Sequence, residues 1–197
     1  IYTYYMISES TTNVHKMIFE KDSNMTIIKY EKPEGSEVVY LSNGNVPLSA
    51  SYFDRSGKKY LWSNFDYKKR QLELFGKFRK KYTISDRLIE QNGAFFYLMK
   101  FRNPKQGKKI VINLIQSKIG RNIEMNYSCE GTEVILIGDK KTEALKFKMS
   151  LHSSLARIFW PYDYYYWYRK SDGLFLKYSG PDENKKNNVI VLSKLSE

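Results

Sequence analysis

The 197-residue chain holds one cysteine, Cys129, and two histidines, His15 and His152. A lone cysteine excludes an internal disulfide and leaves the redox compartment open. Cys129 falls on the apolar side of an alternating pattern, which predicts a small buried hydrophobe rather than a reactive thiol. The histidines lie in different segments with no cysteine or second histidine nearby, so the ligand spacings of a zinc site are missing. His152 falls on the polar side of its own alternation and reads as a surface residue. The glycines are too scattered to cradle a phosphate, and neither G-x-G-x-x-G nor a P-loop occurs. A Gly-x-Ser-x-Gly nucleophile elbow is missing as well. No carboxylate pair stands out; Asp163, among tyrosines, reads as a solvated or paired surface acid. Nothing in the sequence implies a cofactor, and an enzyme is the least supported class. Finally, no apolar run approaches the roughly 20 residues that a membrane-spanning helix needs.

What the chain has in quantity is aromatic surface and lysine. There are 17 Tyr, 11 Phe and 3 Trp in a chain that is 42% hydrophobic, which predicts a folded globular protein rather than a disordered one. Lys plus Arg is 33 against 21 Asp plus Glu, a formal net charge of +12. Such an excess can mean nucleic acid or an anionic membrane surface. Here the basic residues recur at predicted turns and on polar strand faces: Lys58-Lys59, Lys68-Lys69-Arg70, Lys105 with Lys108-Lys109, Lys140-Lys141 and Lys185-Lys186. Lysine in those places guards strand edges against association. A solvated basic surface is therefore favoured over a nucleic-acid site.

The densest feature is Phe159 to Arg169, followed by Ser171-Asp172-Gly173 and the apolar run Leu174 to Tyr178. Two apolar runs around Asp-Gly are a hairpin signal. Because strand side chains alternate, Trp160, Tyr162, Tyr164, Tyr166 and Tyr168 share one face, predicted to point inward. Tyr165 and Trp167, between Asp163 and Arg169, are predicted to meet solvent or a partner.

Short strand patterns precede it: Tyr2 to Ile7, Val14 to Glu20, Met25 to Tyr30, Glu37 to Leu41, Ser51 to Asp54, Lys59 to Tyr67, Gln71 to Phe75 and Phe78 to Ile84. Turn residues separate them, including Lys32-Pro33-Glu34-Gly35 and Asp54-Arg55-Ser56-Gly57. Gly93 to Phe101 is apolar nearly all round and is stopped by Asn103-Pro104, which predicts one short helix against the sheet, with a strand as the alternative. Strand patterns resume at Lys109 to Gln116, Arg121 to Cys129, Glu133 to Ile137 and Ala144 to His152, and end at Asn188 to Leu192. No linker divides residues 1–197, so a single domain is expected. The fold class is mainly β: a strongly curved antiparallel meander, a half-open barrel of about ten to twelve strands with one short helix packed against it. A two-sheet sandwich and a closed barrel are the alternatives.

Several of these stretches carry a resemblance. They are the early meander, then Asn92-Gly93-Ala94-Phe95-Phe96-Tyr97-Leu98-Met99, Gly131-Thr132-Glu133, Glu143-Ala144-Leu145-Lys146 and Phe159-Trp160-Pro161-Tyr162-Asp163. In this order the chain resembles a family of bacterial envelope proteins known only as a domain of unknown function. That family is similar in turn to the periplasmic lipoprotein-localisation carriers, unclosed barrels lidded by helix. The resemblance implies export to the periplasm or cell envelope, a half-barrel, and a lipid, acyl-chain or lipoprotein ligand. The chain begins at Ile1 without an initiator methionine, from which removal of a signal or lipoprotein leader, or of some other N-terminal part, is expected.

The reading that follows is a non-enzymatic protein holding an apolar ligand on the concave face of the sheet. Trp62, Phe95, Phe96, Met99, Met125, Phe147, Tyr164 and Tyr166 are the candidate contacts, with aromatic and Met side chains giving apolar surface and tyrosine hydroxyls giving orientation. Peripheral membrane association is compatible with it. The second reading is a packed scaffold whose exposed aromatics contact a protein or glycan; the third is nucleic-acid binding.

Overall fold

The structure, a computed structural model, describes residues 2–8, 11–21, 24–44, 46–85, 87–91, 94, 98, 107–181 and 185–193. In chain order the strands are β1 (Tyr2–Ser8), β2 (Thr11–Lys21), β3 (Met25–Lys32), β4 (Gly35–Ser42), β5 (Pro47–Asp54), β6 (Lys59–Asp66), β7 (Gln71–Gly76), β8 (Lys80–Thr83) and β9 (Leu88–Glu90). They continue with β10 (Lys109–Gln116), β11 (Arg121–Ile137), β12 (Lys140–Leu151), β13 (Asp163–Arg169), β14 (Phe175–Pro181) and β15 (Asn187–Leu192). An α-helix, α1, spans Ser154–Phe159, and a single 3₁₀ turn spans Ser117–Ile119. All the strands belong to one 15-stranded sheet in the order β8-β7-β6-β5-β4-β3-β2-β1-β15-β14-β13-β12-β11-β10-β9. Its recorded pairs are antiparallel except β9 with β10, which run parallel. The sheet ends at β8 on one side and β9 on the other and does not close. This is the mainly β, open-meander class that the alternation predicts.

By packing, the chain divides into two compact units, one made chiefly of residues 16–97 and 113–123, the other of residues 2–15, 98–112 and 124–197. In the first unit each strand buries alternate residues: Thr26, Ile28 and Tyr30 on β3, and Leu61, Ser63 and Phe65 on β6. An antiparallel sheet with one apolar face must bury that face, and strands of the same sheet can do so. They do so here. Phe65, Leu72 and Leu74 of β6 and β7 pack in one cluster with Ile84, Leu88 and Ile115, joined by Phe78 and Tyr82, so strands from opposite ends of the strand order meet. Lys80 Nζ and Tyr82 Oη both donate to the Gly120 carbonyl, at 2.8 and 2.6 Å. The predicted turn after β5 forms on Asp54, whose Oδ1 accepts from Ser56 N, Ser56 Oγ and Lys58 N at 2.9, 2.7 and 3.0 Å.

A polar network crosses the interior of the same unit. Glu90 is fully buried and accepts from Tyr52 Oη at 2.7 Å and Ser117 Oγ at 3.1 Å. Glu37, also buried, pairs with Lys32 at 2.7 Å and with Lys118. A buried polar group persists only where paired or hydrogen-bonded, and each of these two side chains is.

In the second unit, the strand expected to begin at Phe159 begins at Asp163. Ser153 caps α1, its Oγ accepting from Ala156 N at 3.3 Å, and Pro161 then bars helical continuation. Phe159 is thereby helical and 80% exposed, and Trp160 is the helix C-cap rather than a strand residue. Of the helix expected over residues 93–101, only Ala94 and Leu98 are described, both buried; the rest lies outside the described residues. The patterns Arg121 to Cys129 and Glu133 to Ile137 are one 17-residue strand, broken in register by a bulge between Cys129 and Gly131.

Candidate functional site

The aromatic face of the second unit is built strand by strand. Cys129 opposes Phe147, Tyr127 opposes Met149 and Met125 opposes Leu151 across β11 and β12. Phe147 opposes Tyr166 and Met149 opposes Tyr164 across β12 and β13, and Tyr166 opposes Tyr178 across β14. Directly opposed residues share a face, so Met125, Phe147, Tyr164 and Tyr166, named from the sequence, stand together on it.

The rings pack in sequence across the unit. Tyr127 stacks on Phe147 at 5.1 Å, Phe147 meets Tyr168 edge-on at 5.7 Å, Tyr168 meets Phe175 at 5.7 Å, and Phe175 meets Tyr4 at 5.3 Å. Aromatic pairs in these geometries add to the area they bury. Tyr4 Oη donates to the Phe175 carbonyl at 2.9 Å, whereas the fully buried Tyr168 hydroxyl has no partner among the described residues. Burial, with Tyr127 and Tyr4 adding to it, pushes the Tyr168 hydroxyl well above the usual tyrosine range. Burial thus favours the neutral form of the Tyr168 hydroxyl.

At one end of this face Tyr164 and Tyr178 are only half-buried and stack at 6.4 Å, with Trp160 Nε1 donating to Tyr164 Oη at 3.0 Å. Trp160 and Tyr162, expected to point inward from a strand, instead pack edge-on at 5.2 Å in the half-buried segment before β13. At the other end the bulge matters. Past Gly131, Thr132 opposes Leu145, Val134 opposes Glu143 and Leu136 opposes Lys141. Lys141, Glu143 and Leu145 have the strand parity of Phe147, so Val134 and Leu136 lie on the aromatic face. They are 61% and 65% exposed. The bulge shifts the pairing register by one residue, handing the face of Met125, Tyr127 and Cys129 to Thr132, Val134 and Leu136, while burial past it falls on Ile137 of the other face; a glycine inside the strand pattern, Gly131, marks the bulge.

Beside them lies a groove of about 590 Å³ lined by Lys140, Lys141, Thr142, Glu143, Arg169, Lys170 and Ser171. It exists because β12 outruns β13: the last paired residues are Ala144 and Arg169. Arg169 is held by Asp172 at 2.5 Å and Lys170 by Glu143 at 3.4 Å.

On the opposite face Trp167 is 6% exposed, which corrects its expected place in solvent. Lys146 and Lys177 sit over its ring at 5.2 and 5.0 Å, and its Nε1 donates to Glu133. Lysine stems cover an aromatic while their charges stay wet, and cation–π attraction holds them there. Tyr165 beside it lies 5.1 Å from Lys146 Nζ and is half-buried. Asp163 pairs with Lys148 at 2.7 Å and Arg157 at 3.2 Å, the paired surface acid its sequence setting predicts.

Trp62 belongs to the first unit, on the face opposite Leu61 and Phe65; it is 38% exposed and stacks on Phe75 at 5.6 Å. Phe95, Phe96 and Met99 lie outside the described residues. Cys129 is buried and His152 exposed, as expected, the latter with Nδ1 2.9 Å from Asn126 Oδ1. Among the described residues no cluster of three His, Cys, Asp or Glu side chains could hold a metal, and no helix is long and apolar enough to cross a membrane.

Two solved structures are similar to this chain over its whole length. One is the hypothetical lipoprotein YmcC from Escherichia coli, at a TM-score of 0.51 and 10% identity, covering 100% of this chain and 85% of that one. The other is a beta-barrel-like protein of a domain of unknown function from Brucella abortus, at 0.55 and 10%, covering 98% and 95%. The fold is beta-barrel-like. It agrees with the uncharacterised family whose resemblance the sequence carries. No protein-family model matches the sequence, nor does any curated protein.

Proposed function

We propose that this is a non-enzymatic, envelope-associated protein that binds an apolar ligand, a lipid, acyl chain or lipoprotein, over the aromatic face of its second unit. The observation that carries the reading is that this face does not end where its rings are packed. By register it runs on into Val134 and Leu136, whose apolar side chains are 61% and 65% exposed and open to a ligand. The structural likeness to a hypothetical lipoprotein supports placement at the envelope. Contact with a membrane surface falls to α1, where Leu155, Ile158 and Phe159 are 72%, 71% and 80% exposed beside Trp160 and Tyr162, the ring types that settle at headgroup depth.

One observation favours the scaffold reading instead: Tyr4, Tyr127, Phe147, Tyr168 and Phe175 are at most 1% exposed, so that part of the face is filled by its own rings. Native mass spectrometry after detergent-free purification, followed by titration with a fluorescent fatty acid, separates the two. A co-purifying lipid, or saturable binding lost in Leu136→Glu, is the expected result; a protein that emerges empty and binds no fatty acid or lipopeptide is the scaffold.

A further inference from the structure

The groove at the end of β12 is placed to do more than border the apolar strip. Lys141 lies directly across from Leu136, and Glu143 across from Val134, so both lining residues share a face with the two exposed apolar side chains. Four of the seven lining residues are cationic, Lys140, Lys141, Arg169 and Lys170, against one carboxylate, Glu143. Arg169 and Lys170 are fixed by Asp172 and Glu143, which holds two cations at the rim, and Lys141 is exposed beside Leu136. The Ser171 hydroxyl adds a neutral donor to the lining. A volume of about 590 Å³ is within the range that small-molecule sites occupy, roughly 300–1,000 Å³.

Resting on the reading above, we infer that the groove takes the anionic head of an amphiphile, a phosphate or carboxylate, while Val134 and Leu136 receive the first carbons of its chain. The ligand class is thereby narrowed from apolar to anionic amphiphile. Each lysine near an anionic group adds attraction that falls away with salt, whereas the apolar strip is indifferent to both charge and salt.

The test uses the whole chain and three probes, each below its micellar concentration: dodecyl phosphate, dodecyl maltoside and inorganic phosphate. Dodecyl phosphate is expected to bind roughly tenfold or more tighter than the maltoside. The K140E/K141E double variant, at exposed positions whose circular dichroism should match the parent, is expected to lose that advantage while keeping its affinity for the maltoside. Leu136→Glu is expected to weaken both. Equal binding of the two amphiphiles, or a double variant that keeps the preference, overturns the headgroup assignment while leaving apolar binding intact. Inorganic phosphate binding as tightly as dodecyl phosphate overturns the amphiphile class in favour of a free anion. Failure of both amphiphiles to bind overturns this inference and the proposed function together.

Discussion

At the scale of single residues, backbone geometry and buried charge give the sharpest expectations. Gly35 has φ +148°, and a Cβ there would lie 2.1 Å from the Phe53 carbonyl oxygen across the β4–β5 ladder; Gly57, at φ +81°, has nothing within 4 Å. Gly57→Ala therefore meets only conformational strain, about 1 kcal/mol. Gly35→Ala adds a backbone clash that only ladder displacement relieves, so a loss of about 3 kcal/mol or more is expected in urea titration; equal effects would contradict this geometry. Glu37 gives a pH signature. Burial pushes its carboxyl up, but Lys32 and Lys118 pull further, and the net is below the usual carboxylate range. With the folded-state value depressed, the pairing stabilises the fold above the unfolded carboxylate pKa, near 4.5, and the stabilisation is lost as pH falls through the lower folded value. Glu37→Gln should cost about 2–3 kcal/mol at neutral pH, since it strands two lysines, and should flatten the acid limb of a stability-versus-pH curve.

At the scale of elements, α1 presents its apolar residues outward, which separates what holds the fold from what meets a partner. Leu155, Ile158 and Phe159 are each more than 70% exposed, so L155S/I158S/F159S should change unfolding free energy by no more than about 0.5 kcal/mol. The same variant should lose most of its sedimentation with anionic lipid vesicles, because about 25 cal/mol per Å² of apolar contact goes with those side chains. Unchanged sedimentation would remove α1 as the membrane contact. Strand alternation made many elements legible in the sequence: β3, β4, β6 and β7 follow it almost residue by residue. It failed where a local device overrode it. The Gly131 bulge shifted the pairing register of β11, a Ser153 cap and Pro161 turned Phe159 and Trp160 out of a strand, and Lys146 with Lys177 buried Trp167 on a face that reads as polar. The candidate site was legible as Met125, Phe147, Tyr164 and Tyr166; Val134, Leu136 and the basic groove depend on register, which composition does not encode.

At the scale of the whole molecule, the sequence expectation of one domain meets a chain that packs as two units. Three strands run through that division: β2 has residues 11–15 in one unit and 16–21 in the other, β10 divides after residue 112 and β11 after residue 123. Melting either unit alone would require fraying three continuous strands part-way along their length. Independent domains are joined instead by exposed linkers that few contacts cross. We therefore expect one cooperative transition. In calorimetry the van't Hoff and calorimetric enthalpies should agree. In native-state hydrogen exchange, the slowest amides of β3 to β6 and those of β12 to β14 should converge on one opening free energy as urea is raised. Two transitions, or two sets of slow amides that never converge, would show that the shared strands do not couple the units and that residues 1–197 behave as two domains.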